Sequence, residues 1–106
     1  MDFTQNERLK QINEQTLIIG IDIAKHKHVA RAIDDRGIDL SKRLIFPNSK
    51  EGFKLLLEWA KDLSVQTSRP NLLIGMEPTG HYWMNLAYFL KTHGESPVVV
   101  NPMKVK

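Results

Sequence analysis

Two acidic residues stand where an ionised group is rarely tolerated. Asp22 lies near the end of the apolar run LIIGIDI (17–23), and Glu77 closes a second run, LLIGME (72–77). Such runs read as strands buried on both faces, and a carboxylate persists there when a cation, a hydrogen-bond network or a catalytic need holds it. Neighbouring strands lie about 4.8 Å apart. Were the two strands adjacent and parallel, the acids would meet at one sheet edge and, at about 4 Å and an effective dielectric of about 20, repel by roughly 4 kcal/mol. Such a pair needs a shared proton or a cation. Hard oxygen ligands in a chain without cysteine favour Mg²⁺ or Mn²⁺, which bind few carboxylates and complete their shell with water and substrate phosphates. The chemistry implied is metal-assisted phosphodiester transfer. A plainer account also fits Asp22 alone: a half-wet carboxylate capping the turn that leaves the strand.

Basic residues gather near the first acid. Lys25, Lys27 and Arg31 follow it, Lys42 and Arg43 come next, and Lys104 and Lys106 lie at the terminus. The first three are candidates for backbone-phosphate contacts, which carry no sequence information and weaken with salt. Taken singly, each is better explained as a solvated strand residue that needs no partner. His26 and His28 alternate, which puts them on one strand face, but with no third ligand type near they are expected to be surface histidines rather than a zinc site. Tyr82 and Trp83 have rings able to stack on a base, although Trp83 falls on an apolar stripe and is assigned to the core. His81 reads as a solvated first-turn residue. Thr79 and Gly80 form and support the turn after Glu77, and Gly20 leaves room on the sheet face beside Asp22.

The elements that must position these residues follow in order. Residues 1–16 are polar and weakly patterned, a flexible leader with at most one helical turn. After the first strand, Val29, Ala30, Ala32 and Ile33 lead to Asp35-Arg36-Gly37, a turn signal that makes a hairpin, and Ile38–Phe46 supplies the returning strand. Pro47 closes it. Asn48 and Glu51 have capping-box spacing, and Phe53, Leu56, Leu57, Ala60 and Leu63 form one apolar stripe of a helix. Val65–Pro70 reads as a loop, Leu72–Glu77 as the fourth strand, and Tyr82–His93 as a second helix with Thr79 as N-cap and Gly94 beyond its end. Ser96–Asn101 carries a last short strand. The order is β-β-β-α-β-α-β, and right-handed crossovers then make the fourth strand parallel to the first and the fifth parallel to the fourth.

The chain has 106 residues, 42% hydrophobic and 25% charged, enough for one modest core and too little for two. A formal net charge of +3 suits a polyanionic partner without demanding one. No apolar stretch approaches the roughly twenty residues of a membrane span, no signal peptide opens the chain, and cysteine is absent, so a cytoplasmic protein is expected.

GIDIAKHKH followed by a hairpin, then GMEPTGHYW at the end of a later strand and VVVNPMKVK at the terminus, resembles the amino-terminal part of the DEDD transposases, the RuvC-like group of bacterial and archaeal insertion-sequence enzymes. The resemblance runs from about Leu17 to the last residue. It implies an α/β, RNase H-like mixed five-stranded sheet of order 3-2-1-4-5 with flanking helices, residues 17–106 being a partial catalytic domain without its final helix. By that match Asp22 is the family's first acidic ligand and Glu77 its second, both catalytic and both holding Mg²⁺ or Mn²⁺. The family's other two aspartates are expected shortly after Lys106, followed by a domain with a serine nucleophile, so this stretch is not expected to cleave DNA alone. DNA is the implied partner, with a structured guide RNA, and the whole protein is expected to be a homo-oligomer.

Three other readings compete. A sugar-kinase or actin-like half-domain would want glycine where Ala24-Lys25-His26 stands. A non-catalytic nucleic-acid-binding module would keep the fold and the basic edge but ignore metal. A Holliday-junction-type nuclease would use the same acids for a related cleavage.

Overall fold

The computed structural model describes residues 11–78 and 80–99. Five strands, β1 (Thr16–Asp22), β2 (Lys27–Ile33), β3 (Leu44–Pro47), β4 (Asn71–Glu77) and β5 (Val98–Val99), form one sheet of order β3-β2-β1-β4-β5. Strand β2 is antiparallel to β1 and to β3, whereas β4 is parallel to β1 and β5 parallel to β4. The sheet is therefore mixed in the way the element order requires, and the arrangement is consistent with an RNase H-like fold.

Among the described residues two helices, α1 (Lys50–Gln66) and α2 (Met84–Thr92), cover the same face of the sheet. Alternation along the strands decides which residues meet them. Leu17, Ile19 and Ile21 of β1, Ala30 and Ala32 of β2, Phe46 of β3, and Ile74 and Met76 of β4 join Phe53, Leu56, Ala60, Leu86, Phe89 and Leu90 in one buried cluster. Phe53 and Phe89 link the two helices, with ring centroids 5.6 Å apart. Gly20, Asp22, Arg31, Ile45 and Glu77, which alternate with these on the strands, point to the opposite face and are exposed, whereas Thr16 and Leu73 at its far end are buried.

The element boundaries differ from the sequence expectation in several places, each with a local cause. Thr16 already belongs to β1, entered by a turn in which the Gln15 N–H donates to Asn13 Oδ1 at 2.8 Å. The third strand begins at Leu44 rather than Ile38. Asp34 Oδ1 accepts from the Arg36 and Ile38 N–H groups, and only an isolated bridge between Ile33 and Asp39 precedes the polar Ser41-Lys42-Arg43 stretch. The cap of α1 is Ser49, not Asn48: its Oγ accepts from the Gly52 N–H at 3.2 Å, while the Asn48 side chain is engaged elsewhere. Helix α1 also runs through Val65 and Gln66, ending at Thr67 with Ser68 at a positive φ of 56°.

Helix α2 starts at Met84, later than expected, because His81–Trp83 form a preceding turn in which Trp83 Nε1 donates to the Gly80 carbonyl at 3.0 Å. Its other end behaves as expected. Gly94 takes φ 86°, its N–H donates to Lys91 and that of Glu95 to Leu90, the paired bonds of a Schellman motif. The expected N-cap Thr79, and Val100 and Asn101 of the last strand, lie outside the described residues.

Candidate metal and nucleic-acid site

Parallel pairing of β1 with β4 sets Gly20 opposite Gly75, Ile21 opposite Met76 and Asp22 opposite Glu77. Ile21 and Met76 are buried against the helices, so the next residues, Asp22 and Glu77, both turn to the open face at the carboxyl end of adjacent strands. That is the edge where open α/β sheets place ligands. The two acids are thus brought together by register alone.

Below them lies a groove of about 570 Å³ lined by Gly20, Asp22, Gly75 and Glu77, with Arg31 and Arg43 among its other lining residues. The glycines keep its floor bare. A Cβ at Gly20 would meet nothing within 4 Å, and one at Gly75 would come no closer than 3.8 Å to the Val98 carbonyl oxygen. Neither glycine is required by contacts within the described chain, in keeping with open space beside Asp22.

Asp22 and Glu77 are exposed, and among the described residues neither carboxylate accepts a hydrogen bond or forms an ion pair. Their oxygens are available to a cation. No third His, Cys, Asp or Glu joins them among the described residues. Two hard carboxylates fit part of the shell of Mg²⁺, an ion that ordinarily keeps several waters and binds substrate phosphates.

The basic candidates are placed unequally. Arg31, opposite Gly20 on β2, reaches the groove but also pairs with Asp39 through Nη2 at 2.9 Å, both side chains well exposed. Lys25 is exposed in the turn that follows Asp22, and Lys27 is the exposed first residue of β2; neither lines the groove. Arg43 does line it. Its sequence signal was only a place in a Lys-Arg pair, because its distance from Asp22 depends on where β3 leaves the ladder.

His28 overturns a sequence expectation. It is fully buried, on the same β2 face as Ala30 and Ala32, edge-on to Phe46 at 5.4 Å and stacked on Phe53 at 6.4 Å. Its Nδ1 accepts from the Ala24 N–H at 3.2 Å. Burial pushes the imidazole below its usual 6.5, against the smaller opposing effects of Asn48 and the Asp22 charge. His26 is exposed, so the two histidines do not share a surface, and they form no metal cluster among the described residues.

After Glu77, Gly80 takes φ 55°, which a turn requires of it, with only the Tyr82 ring near where a Cβ would stand. Tyr82 and Trp83 pack half-buried against the core, and exposed His81 lies against the Tyr82 ring at 4.6 Å.

A family model described as a transposase, that of the IS110-type DEDD transposases, matches residues 19–106. The chain belongs to this transposase family. Two curated relatives, the pilin gene-inverting proteins of Moraxella bovis and Moraxella lacunata, are each 34% identical to this chain over 87 residues. Those matches cover 82% of this chain and 26% of each relative, so the chain spans about a quarter of the length of the proteins it matches. Among solved structures, a Ppx/GppA family member from Aquifex aeolicus aligns over 82% of this chain and 35% of its own, at 12% identity and a TM-score of 0.45. A likeness at that level decides nothing here. Among the described residues no helix is long and apolar enough to cross a membrane.

Proposed function

We propose that this chain is the amino-terminal part of a DNA strand-transfer active site, in which Asp22 and Glu77 hold divalent metal for insertion-sequence transposition. The observation that carries the reading is the register that sets the two acids side by side at the carboxyl end of parallel strands, on the face opposite the two described helices. A bound Mg²⁺ or Mn²⁺ would supply Lewis acidity at the scissile phosphate. The chain's own residues do the remaining work. Asp22 and Glu77 fix the ion at the sheet edge. Arg31 and Arg43 hold phosphate oxygens along the groove, while Lys25 and Lys27 meet the same backbone beyond its rim.

Both groups of contacts are sequence-independent, so target choice must come from elsewhere, consistent with guidance by a structured RNA in the whole protein. Exposed Ile38 and Ile45 on and beside the edge strand β3 support self-association of the whole protein.

The test is strand cleavage of duplex DNA by the intact protein. Activity should require Mg²⁺ or Mn²⁺ and fall to background in Asp22→Asn and Glu77→Gln, while DNA affinity in the absence of metal stays within a few-fold of wild type. Cleavage undiminished by both substitutions would remove the proposal.

A further inference from the structure

The turn from Ile23 to His26 joins Asp22 to β2, and its backbone is fastened from two other places in the fold. The Ala24 N–H donates to His28 Nδ1 at 3.2 Å. Asn48 Nδ2 donates to the Lys25 carbonyl at 3.0 Å, and the Asn48 N–H donates to the His26 carbonyl at 2.8 Å. Three consecutive residues of an exposed turn are thus each held by a bond from outside it. Backbone groups at such a turn would otherwise be left to water.

His28 is costly for this purpose alone. It occupies a core position between two phenylalanines, where an apolar side chain would pack without desolvating a ring nitrogen. Because Nδ1 accepts, the neutral ring must carry its proton on Nε2. That atom and Asn48 Oδ1 are both buried without a bond of proper geometry, a donor and an acceptor on the two side chains that hold the turn. Asn48 acts on the imidazole as a hydrogen-bonding neighbour. The donor and the acceptor thus belong to neighbouring side chains, and the bonds of good geometry that this pair makes are those to Ala24, Lys25 and His26.

We propose that His28 and Asn48 are positioning residues for the strand-transfer site, fixing the turn after Asp22 so that Lys25 is presented to a nucleic-acid phosphate beside the acidic pair. This rests on the reading of Asp22 and Glu77 as the metal site. His28 touches neither metal nor DNA. It acts through the Ala24 amide, and Asn48 through the Lys25 and His26 carbonyls.

The intact protein carrying His28→Leu, His28→Asn or Asn48→Ala tests the assignment, with Lys25→Gln for comparison. Leucine fills the core site but cannot accept from Ala24, whereas the asparagine Oδ1 can stand near the position of Nδ1. In His28→Leu the Ala24 amide should exchange with solvent about tenfold faster, the factor set by one hydrogen bond of ordinary net strength. His28→Asn should recover most of the protection. Affinity for duplex DNA at low salt should fall several-fold in His28→Leu and Asn48→Ala, as in Lys25→Gln, with Mn²⁺ affinity unchanged.

Wild-type exchange at Ala24 and wild-type DNA affinity in His28→Leu overturn the proposal and leave the metal site standing. Losses of equal size in His28→Leu and His28→Asn that follow their melting temperatures also overturn it, since they show packing alone. If Lys25→Gln binds DNA as wild type does, the functional half of the proposal is refuted. If Asp22→Asn and Glu77→Gln leave Mn²⁺ binding intact, the reading beneath it fails, and Ala24 exchange still reports separately whether the turn is fastened.

Discussion

At the scale of single residues, buried His28 makes stability depend on pH in a definite direction. Its folded value is depressed, so below about 6.5 the unfolded chain takes up a proton that the folded chain resists. The associated stability is fully present above the unfolded value and is lost as pH falls through the window down to the depressed one. Chemical denaturation at a series of pH values should show wild-type stability declining below about 6.5, at no more than about 1.4 kcal/mol per pH unit from this group. His28→Leu should flatten that decline, and an unchanged profile would contradict the burial of a neutral ring. The acids were legible in the sequence because each ends an apolar run. His28 was not, since in KHKHVARA polar residues fill both alternating positions and only the ladder shows which side faces α1. Arg43 was equally hidden, its approach to the groove depending on the late start of β3.

At the scale of elements, the entrance and exit of α1 make opposite predictions about glycine. Gly52 sits in the first turn of the helix, where a Cβ would be driven into the Pro47 carbonyl oxygen. Alanine gains about 1 kcal/mol of helix propensity. Forcing an atom into a packed backbone costs about 1–3 kcal/mol, so Gly52→Ala should be net destabilising by thermal melting. At the far end Ser68 is left-handed, closing the helix with N–H bonds from Ser68 to Val65 and from Arg69 to Ser64. Ser68→Gly should therefore raise stability by about 0.5–1 kcal/mol in the same assay. The apolar stripe of α1 was readable from its spacing, and so was the glycine stop of α2. The cap of α1 was misassigned by one residue because both Asn48 and Ser49 suit that role, and the turn after Asp22 draws Asn48 away.

At the scale of the molecule, strand direction followed from the element sequence and the handedness of crossovers, strand order was what the family resemblance implied, and the sheet has both. Among the described residues both helices lie on one face, and the other carries the groove, with two glycines as a floor and two acids at its rim. What pattern alone left open was whether Asp22 serves a metal or merely caps a turn. The proposed metal site rests on the register with Glu77, since a cap needs no second carboxylate beside it. The most direct test is a Mn²⁺ titration of the intact protein followed by electron paramagnetic resonance, comparing wild type with the double variant Asp22→Asn/Glu77→Gln. Saturable binding in wild type, weakened about 100-fold or more in a double variant that melts as wild type does, is the predicted result, a difference of about 2.8 kcal/mol. Equal Mn²⁺ affinity in the two proteins would contradict it.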